Sequence, residues 1–214
     1  MFRKITRNHL ENFLKRQATD KRVLNVGSGA DLYNYRRFFP NAVSFDVDPN
    51  NKPNVIGDAH ALPFKNEEFE VVLCAEVLEH LIDPKKAISE MRRVLKSGGT
   101  LILTTRFVYP IHDSPHDYWR FTKYGLMELF KEWEVIELIS ETRNFSTIAV
   151  LLQRIGFQSI LKVNKLSKLI LFTMAVIFNN LNFLTKKEYG DIARKNVEKD
   201  IMPSGYYMVI KKRI

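Results

Sequence analysis

Two glycines and two aspartates stand directly behind consecutive apolar runs of the chain. Gly27 and Gly29 follow the run at residues 23–26, where glycine lets the backbone turn sharply and pass close to a ligand. Asp46 closes the next run, where a carboxylate can accept both hydroxyls of a ribose, and Asp58 follows the third, where it can accept from an adenine amino group. A glycine turn alone also occurs wherever a parallel strand bends sharply, but two acids at successive strand ends predict a nucleoside site.

The position of a third glycine separates two kinds of nucleoside ligand. A dinucleotide site needs glycine there so that a helix packs closely and its N-terminus holds the pyrophosphate. In this chain that position is Leu32, after Asp31. A sulfonium methyl donor carries no phosphate, so the pattern favours such a donor over NAD.

Glu76, Glu79 and His80 form a second group of candidate residues, after the fourth apolar run. If this segment is helical, their spacing places two carboxylates and an imidazole on one face, and such a set can hold a hard divalent cation. The alternative is that the segment only lines the donor pocket. We therefore leave the metal ligands unknown and treat His80 as a candidate for proton transfer.

A third group lies in residues 109–122, which hold prolines, histidines and aromatic side chains at unusual density. Histidine near its ordinary pKa is a natural base for a hydroxyl group, and His112 is the leading candidate. Trp119 could stack on the face of a sugar. The alternative is a structural lid, in which Arg120 pairs with Asp117 or a neighbouring aspartate and the aromatic residues fill the core.

Short apolar runs alternate with stretches of helical periodicity. The runs predict strands at residues 23–26, 42–46, 54–56, 70–74, 100–104, 133–139 and 205–212. Apolar residues three to four positions apart predict helices at residues 8–17, 84–96 and 123–131. This alternation predicts an α/β fold, with a Rossmann-like, seven-stranded, mostly parallel sheet and helices on both faces, in a single domain spanning residues 1–214.

Residues 145–200 interrupt this alternation. The stretch is too long for a loop, so we expect a helical insertion or lid before the last strand. Within it, residues 169–178 are apolar apart from Thr173, and this run is too short to span a bilayer. Five lysines flank the run, namely Lys162, Lys165, Lys168, Lys186 and Lys187. Core or lid packing is one interpretation, and an interfacial helix on anionic headgroups is the other.

The net charge of +9 is concentrated at the two ends of the chain. Residues 1–22 contribute +5, residues 23–153 contribute −4 and residues 154–214 contribute +8. The asymmetry suits nucleic acid, anionic lipid or a phosphorylated acceptor, or else a lysine-rich solvated surface. With one cysteine, Cys74, and no signal-peptide pattern, we expect a cytoplasmic protein. Peripheral contact with the inner face of an anionic membrane extends that expectation.

The order of these motifs resembles that of class I S-adenosylmethionine-dependent methyltransferases, and most closely the type 11, small-molecule branch. The resemblance covers about residues 20–140, through segments at residues 23–29, 43–49, 57–64, 69–72, 76–81 and 93–99. The segment 109–122 is similar to one in bacterial enzymes of cell-surface polysaccharide and glycolipid pathways. The string from Glu76 to His80 resembles the metal motif of small-RNA 3′-end and ubiquinone-pathway methyltransferases.

The resemblance implies S-adenosylmethionine as the methyl donor and a set of residues that bind it. These are Asn25, Gly27, Ser28, Gly29, Asp46, Val47, Asp58, Ala59, Cys74 and Glu76. Two positions depart from the family pattern, since Asn25 stands where an acid is usual and Glu70 where an aspartate is usual. Asn25 can accept one hydrogen bond but lacks the charge that favours a nearby sulfonium.

The function that follows is transfer of a methyl group to an oxygen of a small glycan-like or lipid-linked acceptor, by in-line displacement. His112 or His80 would remove the proton of the acceptor hydroxyl. Three alternatives stay open: an RNA 2′-O-methyltransferase, a lipid-quinone methyltransferase and a non-catalytic donor-binding scaffold. Nucleic acid is the weaker partner prediction, because no RNA-binding module is recognisable. The acceptor, the methylated atom and the oligomeric state do not follow from the sequence.

Overall fold

The computed structural model of the chain describes residues 4–29 and 35–213. Leu32, the position of the third glycine, lies outside the described residues, as do Ala30 and Asp31. The described chain forms two compact units. The sheet unit comprises residues 13–29, 35–106, 112–139 and 206–213, and the helical unit comprises residues 4–12, 107–111 and 140–205.

Seven strands form the main sheet, in the order β3-β2-β1-β4-β5-β9-β6. Their bounds are β1 Val23–Val26, β2 Ala42–Asp46, β3 Val55–Ile56, β4 Phe69–Ala75, β5 Leu95–Arg106, β6 Glu134–Ser140 and β9 Gly205–Lys211. β1 pairs in parallel with β2 and β4, and the pairs β2–β3 and β4–β5 are also parallel. The carboxyl ends of these five strands therefore meet at one edge of the sheet, where ligands bind in open α/β folds.

Two helices of the sheet unit follow from local signals in the sequence. α2 spans Pro84–Val94, with proline in its first turn and the Asp83 side chain accepting a hydrogen bond from the main-chain N–H of Lys86. α3 spans Lys123–Leu129 and is capped by Thr122. The buried residues of α2 recur at helical spacing, namely Ala87, Ile88, Met91 and Val94. Each of the two helices ends two residues before the end that the periodicity predicts.

The helical unit contains a pair of packed helices, α4 (Asn144–Gln158) and α5 (Asn164–Asn179). The Phe157 and Phe172 rings lie 5.0 Å apart, and those of Phe145 and Phe178 lie 6.3 Å apart. These two contacts join the end of α4 to the middle of α5, and the start of α4 to the end of α5. The two helices are therefore antiparallel. A 3₁₀ turn at Leu181–Leu184 follows α5.

The prediction of helix throughout residues 145–200 is wrong in its last part. β7 (Glu188–Tyr189) and β8 (Val197–Glu198) pair as a short antiparallel hairpin. The Asp191 carboxylate accepts hydrogen bonds from the main-chain N–H groups of Lys195 and Asn196, at 3.1 and 2.7 Å. These bonds stabilise a turn, because an aspartate side chain competes with the backbone for the N–H groups that a helix would use.

The first helix, α1, spans Ile5–Arg16, beginning three residues before the predicted start. Its buried residues include Leu10, Phe13 and Leu14, as the periodicity predicts. Among the described helices, none combines the length and the apolarity that a membrane span requires.

Candidate functional site

The turn after β1 depends on glycine for two separate reasons. Gly27 and Gly29 have φ angles of 64° and 63°, in the left-handed region that side chains disfavour. A Cβ atom on Gly27 would also collide with the side chain of Val77. The main-chain N–H of Ser28 donates to the carbonyl of Phe45, at 3.1 Å, which holds the turn beside the end of β2.

Asp46 is built into this turn. It closes β2, and its side chain is buried, with 6% of the residue exposed. One carboxylate oxygen accepts from the N–H of Gly29 at 2.7 Å, and the other accepts from the N–H of Asp48 at 2.9 Å. A carboxylate offers about four acceptor positions, so two remain for ligand hydroxyls. Val47 is 72% exposed beside it.

Asp58 lies after β3, and its side chain is 63% exposed. Its carboxylate accepts from the main-chain N–H of His60 at 2.9 Å and lies 2.5 Å from Nδ1 of the same histidine. The backbone hydrogen bond, aided by the imidazole, lowers the pKa of Asp58. The carboxylate is therefore an anion at neutral pH, able to accept from an amino group. Ala59 is nearly buried.

Two further residues that are predicted to bind the methyl donor lie within the strands. Asn25 pairs in register with Ser44 on one side and Leu73 on the other, and with Ser28 and Gly29 it lines a pocket beside the turn. Cys74 is fully buried in β4, and burial raises the pKa of its thiol. Any contact of Cys74 with a donor would therefore involve its main chain.

Glu76, Glu79 and His80 do not share a helical face, so that prediction is wrong. Glu76 has a φ angle of 59°, and only Leu78–His80 form a short 3₁₀ turn. The Glu76 carboxylate pairs with the guanidinium of Arg106, a buried residue at the end of β5. Glu76 therefore pairs with a residue of β5, and not with Glu79 and His80 on one helical face.

Glu79 and His80 instead converge with His112. Their ligand-capable atoms lie within 4.8 Å of one another, and the imidazoles of His80 and His112 meet edge to face with centroids 4.7 Å apart. Nδ1 of His80 lies 2.6 Å from the carbonyl oxygen of His116, so this nitrogen donates and Nε2 keeps its lone pair when the ring is neutral. The three side chains could hold a divalent cation or place an imidazole next to a hydroxyl.

Glu79 is the most deeply buried acid of this group. No part of the residue is exposed, and its Oε2 accepts from the hydroxyl of Thr105 at 2.7 Å. Burial raises the pKa of Glu79, and the negative charge of Glu76 raises it further, whereas Arg106 lowers it. A carboxyl in this position is sensitive to any cation that arrives beside it.

His112 has its own carboxylate partner, Asp117. The main-chain N–H of His112 donates to Oδ2 of Asp117 at 2.9 Å, and Nδ1 of the ring lies 3.4 Å from the same oxygen. Burial lowers the pKa of His112, so the imidazole is neutral near pH 7. Although burial acts in the opposite direction, hydrogen bonds from Arg120 and from the His112 main chain lower the pKa of Asp117 to about 2.

The pairing of Arg120 with Asp117 is the one that a structural lid predicts. The aromatic residues of the segment fit this interpretation only in part. Phe121 is buried, whereas Tyr118 and Trp119 are 43% and 42% exposed. The indole N–H of Trp119 donates to the carbonyl of Leu81 at 2.8 Å, which fixes the ring. The segment is thus partly structural and leaves aromatic surface available to a ligand.

Sequence reasoning missed Arg106. Arg106 belongs to no motif. The sequence signal that could have indicated it is its charge, because it follows directly after the apolar run of β5. The ion pair joins residues 76 and 106, so it depends on the pairing of β4 with β5 and not on local spacing.

Comparisons with known proteins agree with this architecture. Residues 24–103 match a family model described as a methyltransferase domain. The chain is 34% identical over 102 residues to demethylmenaquinone methyltransferase of Renibacterium salmoninarum, covering 42% of this chain and 43% of that protein. This chain spans less than half of the length of the curated relatives compared with it, from 22% to 47%.

Solved structures extend the likeness to almost the whole chain. Phosphoethanolamine N-methyltransferase 2 of Haemonchus contortus, in complex with phosphomonomethylethanolamine and S-adenosylhomocysteine, superposes with a TM-score of 0.58 at 19% identity, covering 96% of this chain and 52% of that one. The cyclase SpnF superposes with a TM-score of 0.60 at 14% identity, covering 97% and 82%. The predicted Rossmann-like fold is confirmed by the strand order and by these superpositions, and the similarity to the methyltransferase model lies within residues 24–103.

Proposed function

We propose that the protein transfers the methyl group of S-adenosylmethionine to an oxygen of a small glycan-like or lipid-linked acceptor. The observation that carries the donor assignment is Asp46, a buried carboxylate at the end of β2 that is bonded to the glycine turn and keeps acceptor positions in reserve. The match of residues 24–103 to a methyltransferase domain supports the same donor.

In this proposal the ribose binds at Asp46 and the adenine near Asp58. The glycine turn of Gly27 and Gly29 lets the donor approach the backbone closely, and Glu76 lies at the carboxyl end of β4, next in the sheet. The donor site needs no anion-binding helix end, in contrast to a dinucleotide site. Catalysis then rests mainly on holding the acceptor oxygen in line with the sulfonium methyl.

His112 is the proposed general base. Its neutral imidazole can take the proton of the acceptor hydroxyl as the oxygen–carbon bond forms and the carbon–sulfur bond breaks. The Asp117 carboxylate lies 3.4 Å from Nδ1 of the ring, where its charge would stabilise the imidazolium that results. His80, with its Nε2 lone pair, is the second candidate for the same role.

The acceptor class is supported by the exposed aromatic side chains of Tyr118 and Trp119, in the same segment as His112. Aromatic faces with polar neighbours suit sugar rings. A second candidate is a quinone, because a demethylmenaquinone methyltransferase is among the relatives. SpnF shows that a protein of this fold can be a cyclase, so the reaction has to be tested directly.

Calorimetric titration with S-adenosylhomocysteine tests the donor site. Asp46→Ala should weaken binding by about 1.5–3 kcal/mol, the range for a hydrogen bond to a charged group. Asp46→Asn should weaken binding less than Asp46→Ala, because the amide oxygen remains as one acceptor. Asp20→Ala is the control, since it removes an exposed carboxylate elsewhere. NAD should bind more weakly than S-adenosylhomocysteine. Unchanged affinity in Asp46→Ala would remove this residue from the site, and tighter binding of NAD would overturn the donor assignment.

Labelled donor tests the acceptor. Wild-type protein should transfer label to a lipid-extractable glycan fraction of a cell envelope, and not to RNA or to a demethylated quinone. Label in the quinone would favour the second candidate. Donor binding without transfer to any of the three fractions would indicate a non-catalytic scaffold.

A further inference from the structure

α5 has two apolar faces, of which only one is buried. Phe172 and Ala175 are 7% and 0% exposed and lie on the face that packs against α4. Phe172 also fills the space above Gly156, where a Cβ atom would come within 3.0 Å of the phenylalanine ring. The packing of this helix pair is therefore complete on the inner face of α5.

The outer face of α5 is an exposed apolar stripe. The side chains recur at the spacing of one helical face, and Thr173 is the polar residue among them. The stripe consists of Leu166, Leu169, Ile170, Val176 and Ile177, each at least 50% exposed. Single exposed apolar residues are ordinary, but a continuous apolar face marks an interaction surface.

The apolar surface continues around the turn between α4 and α5. Ile160 is 97% exposed and Val163 is 60% exposed. Phe157 is 38% exposed, and the Lys4 ammonium lies 5.8 Å from the centroid of its ring. Cationic side chains thus adjoin this end of the stripe.

The charge of this region has one sign. Residues 142–187 contain no aspartate or glutamate. The basic residues of the same stretch are Arg143, Arg154, Lys162, Lys165, Lys168, Lys186 and Lys187. In the sequence, three of these lysines lie before Leu169, and the other two lie after Ile177. A surface of this kind is complementary to a large apolar partner that carries negative charge at its boundary.

We propose that the outer face of α5 docks onto an anionic lipid bilayer, with the helix axis in the plane of the membrane. A bilayer offers apolar depth and anionic headgroups together, which matches an apolar stripe that lysines flank on both sides in the sequence. α5 has 16 residues, about 24 Å of helix, and cannot cross the bilayer. An upright helix would carry one group of lysines into the apolar layer, whereas a helix lying flat keeps both groups at the headgroups.

This inference rests on the proposed function for its purpose, because a lipid-linked acceptor would reach the enzyme from a membrane. The docking itself is physically independent of catalysis. Donor binding measured by calorimetry on the same preparation therefore separates the two. A protein that binds S-adenosylhomocysteine but no vesicles overturns the docking alone.

Vesicle flotation of the wild-type chain is the first test. The protein should float with vesicles of equal parts phosphatidylglycerol and phosphatidylcholine and stay at the bottom with phosphatidylcholine alone. Salt should weaken the binding, because the headgroup attraction is screened. Absence of flotation with the anionic vesicles overturns the proposal, and so does equal binding to both compositions. A dimer that forms through this face in solution and excludes vesicles also overturns it.

Variants on the exposed stripe localise the binding. Leu169→Glu combined with Val176→Glu should lower vesicle partitioning at least about tenfold, because two apolar contacts are replaced by charges that the headgroups repel. Both positions are more than half exposed, so the melting temperature should be kept. Ile136→Glu is the matched control, since it makes the same change at a half-exposed position of β6 and should bind like wild type. Lys165→Gln should lower partitioning about fivefold. Equal loss in Ile136→Glu and in the double variant would overturn the assignment of α5.

Discussion

At the residue scale, the site consists of side chains whose protonation states are set by their neighbours. Asp117 stays ionised through its bonds to Arg120 and to the His112 main chain, and it lies beside an imidazole whose burial keeps it neutral. A neutral imidazole with an ionised carboxylate 3.4 Å from its Nδ1 suits the role of general base that we propose for His112. The ligand-capable atoms of Glu79 and His112 lie within 4.8 Å of each other, and burial raises the pKa of Glu79, so this carboxyl is protonated more readily than that of an ordinary glutamate.

His112→Ala should lower kcat about 10²–10⁴-fold and leave the affinity for S-adenosylhomocysteine unchanged, because it removes only proton transfer. His9→Ala, at an exposed histidine of α1, is the control and should behave as wild type. The rate should fall as the pH drops through the pKa of His112, with a midpoint below the ordinary value of 6.5. Asp117→Asn should move that midpoint lower still, because the aspartate raises the pKa of His112.

Two results would reassign this cluster. If His80→Ala has the larger effect and His112→Ala has little, the roles of the two histidines are exchanged. If a chelator abolishes activity and magnesium restores it, then Glu79, His80 and His112 hold a cation and the assignment of His112 as base is wrong.

At the scale of elements, the sequence predicts what depends on local pattern. Each strand of the main sheet follows from an apolar run, and α2 follows from its proline, its capping aspartate and its helical periodicity. The left-handed backbone of Glu76 could not be predicted, because it accompanies an ion pair with Arg106 on another strand. The β7–β8 hairpin was missed because the helical prediction was extended from α4 and α5 over a segment whose turn the Asp191 side chain stabilises.

The glycine turn after β1 allows a matched test at this scale. Gly27→Ala should destabilise the fold by more than about 1–2 kcal/mol, because it adds a collision with Val77 to the cost of a left-handed φ. Gly98→Ala is the control, since its φ of 70° carries the same backbone cost and no atom of the described residues lies within 4 Å of the added Cβ. Thermal or denaturant unfolding measures both. Equal losses of stability in the two variants would show that the collision with Val77 adds nothing to the cost of Gly27→Ala.

At the scale of the whole molecule, the two units differ in what they share with other proteins. The family match at residues 24–103 lies entirely in the sheet unit. The helical unit lies outside that match, including its acid-free stretch at residues 142–187 and the apolar stripe of α5. The proposed methyl donor therefore has support from relatives, whereas the proposed acceptor and docking surface rest on this chain's own residues.

Because Cys74 is buried, its reactivity reports on local opening of the sheet. It is the sole thiol, it sits in a central strand with no exposed area, and burial keeps it protonated. A thiol reagent such as a maleimide should label it only when β4 separates from its neighbours, so the labelling rate measures how often the sheet opens. S-adenosylhomocysteine at about 100 times its dissociation constant should slow labelling about 100-fold, provided that opening destroys the donor site. A labelling rate that ignores the ligand would mean that β4 opens while the donor stays bound.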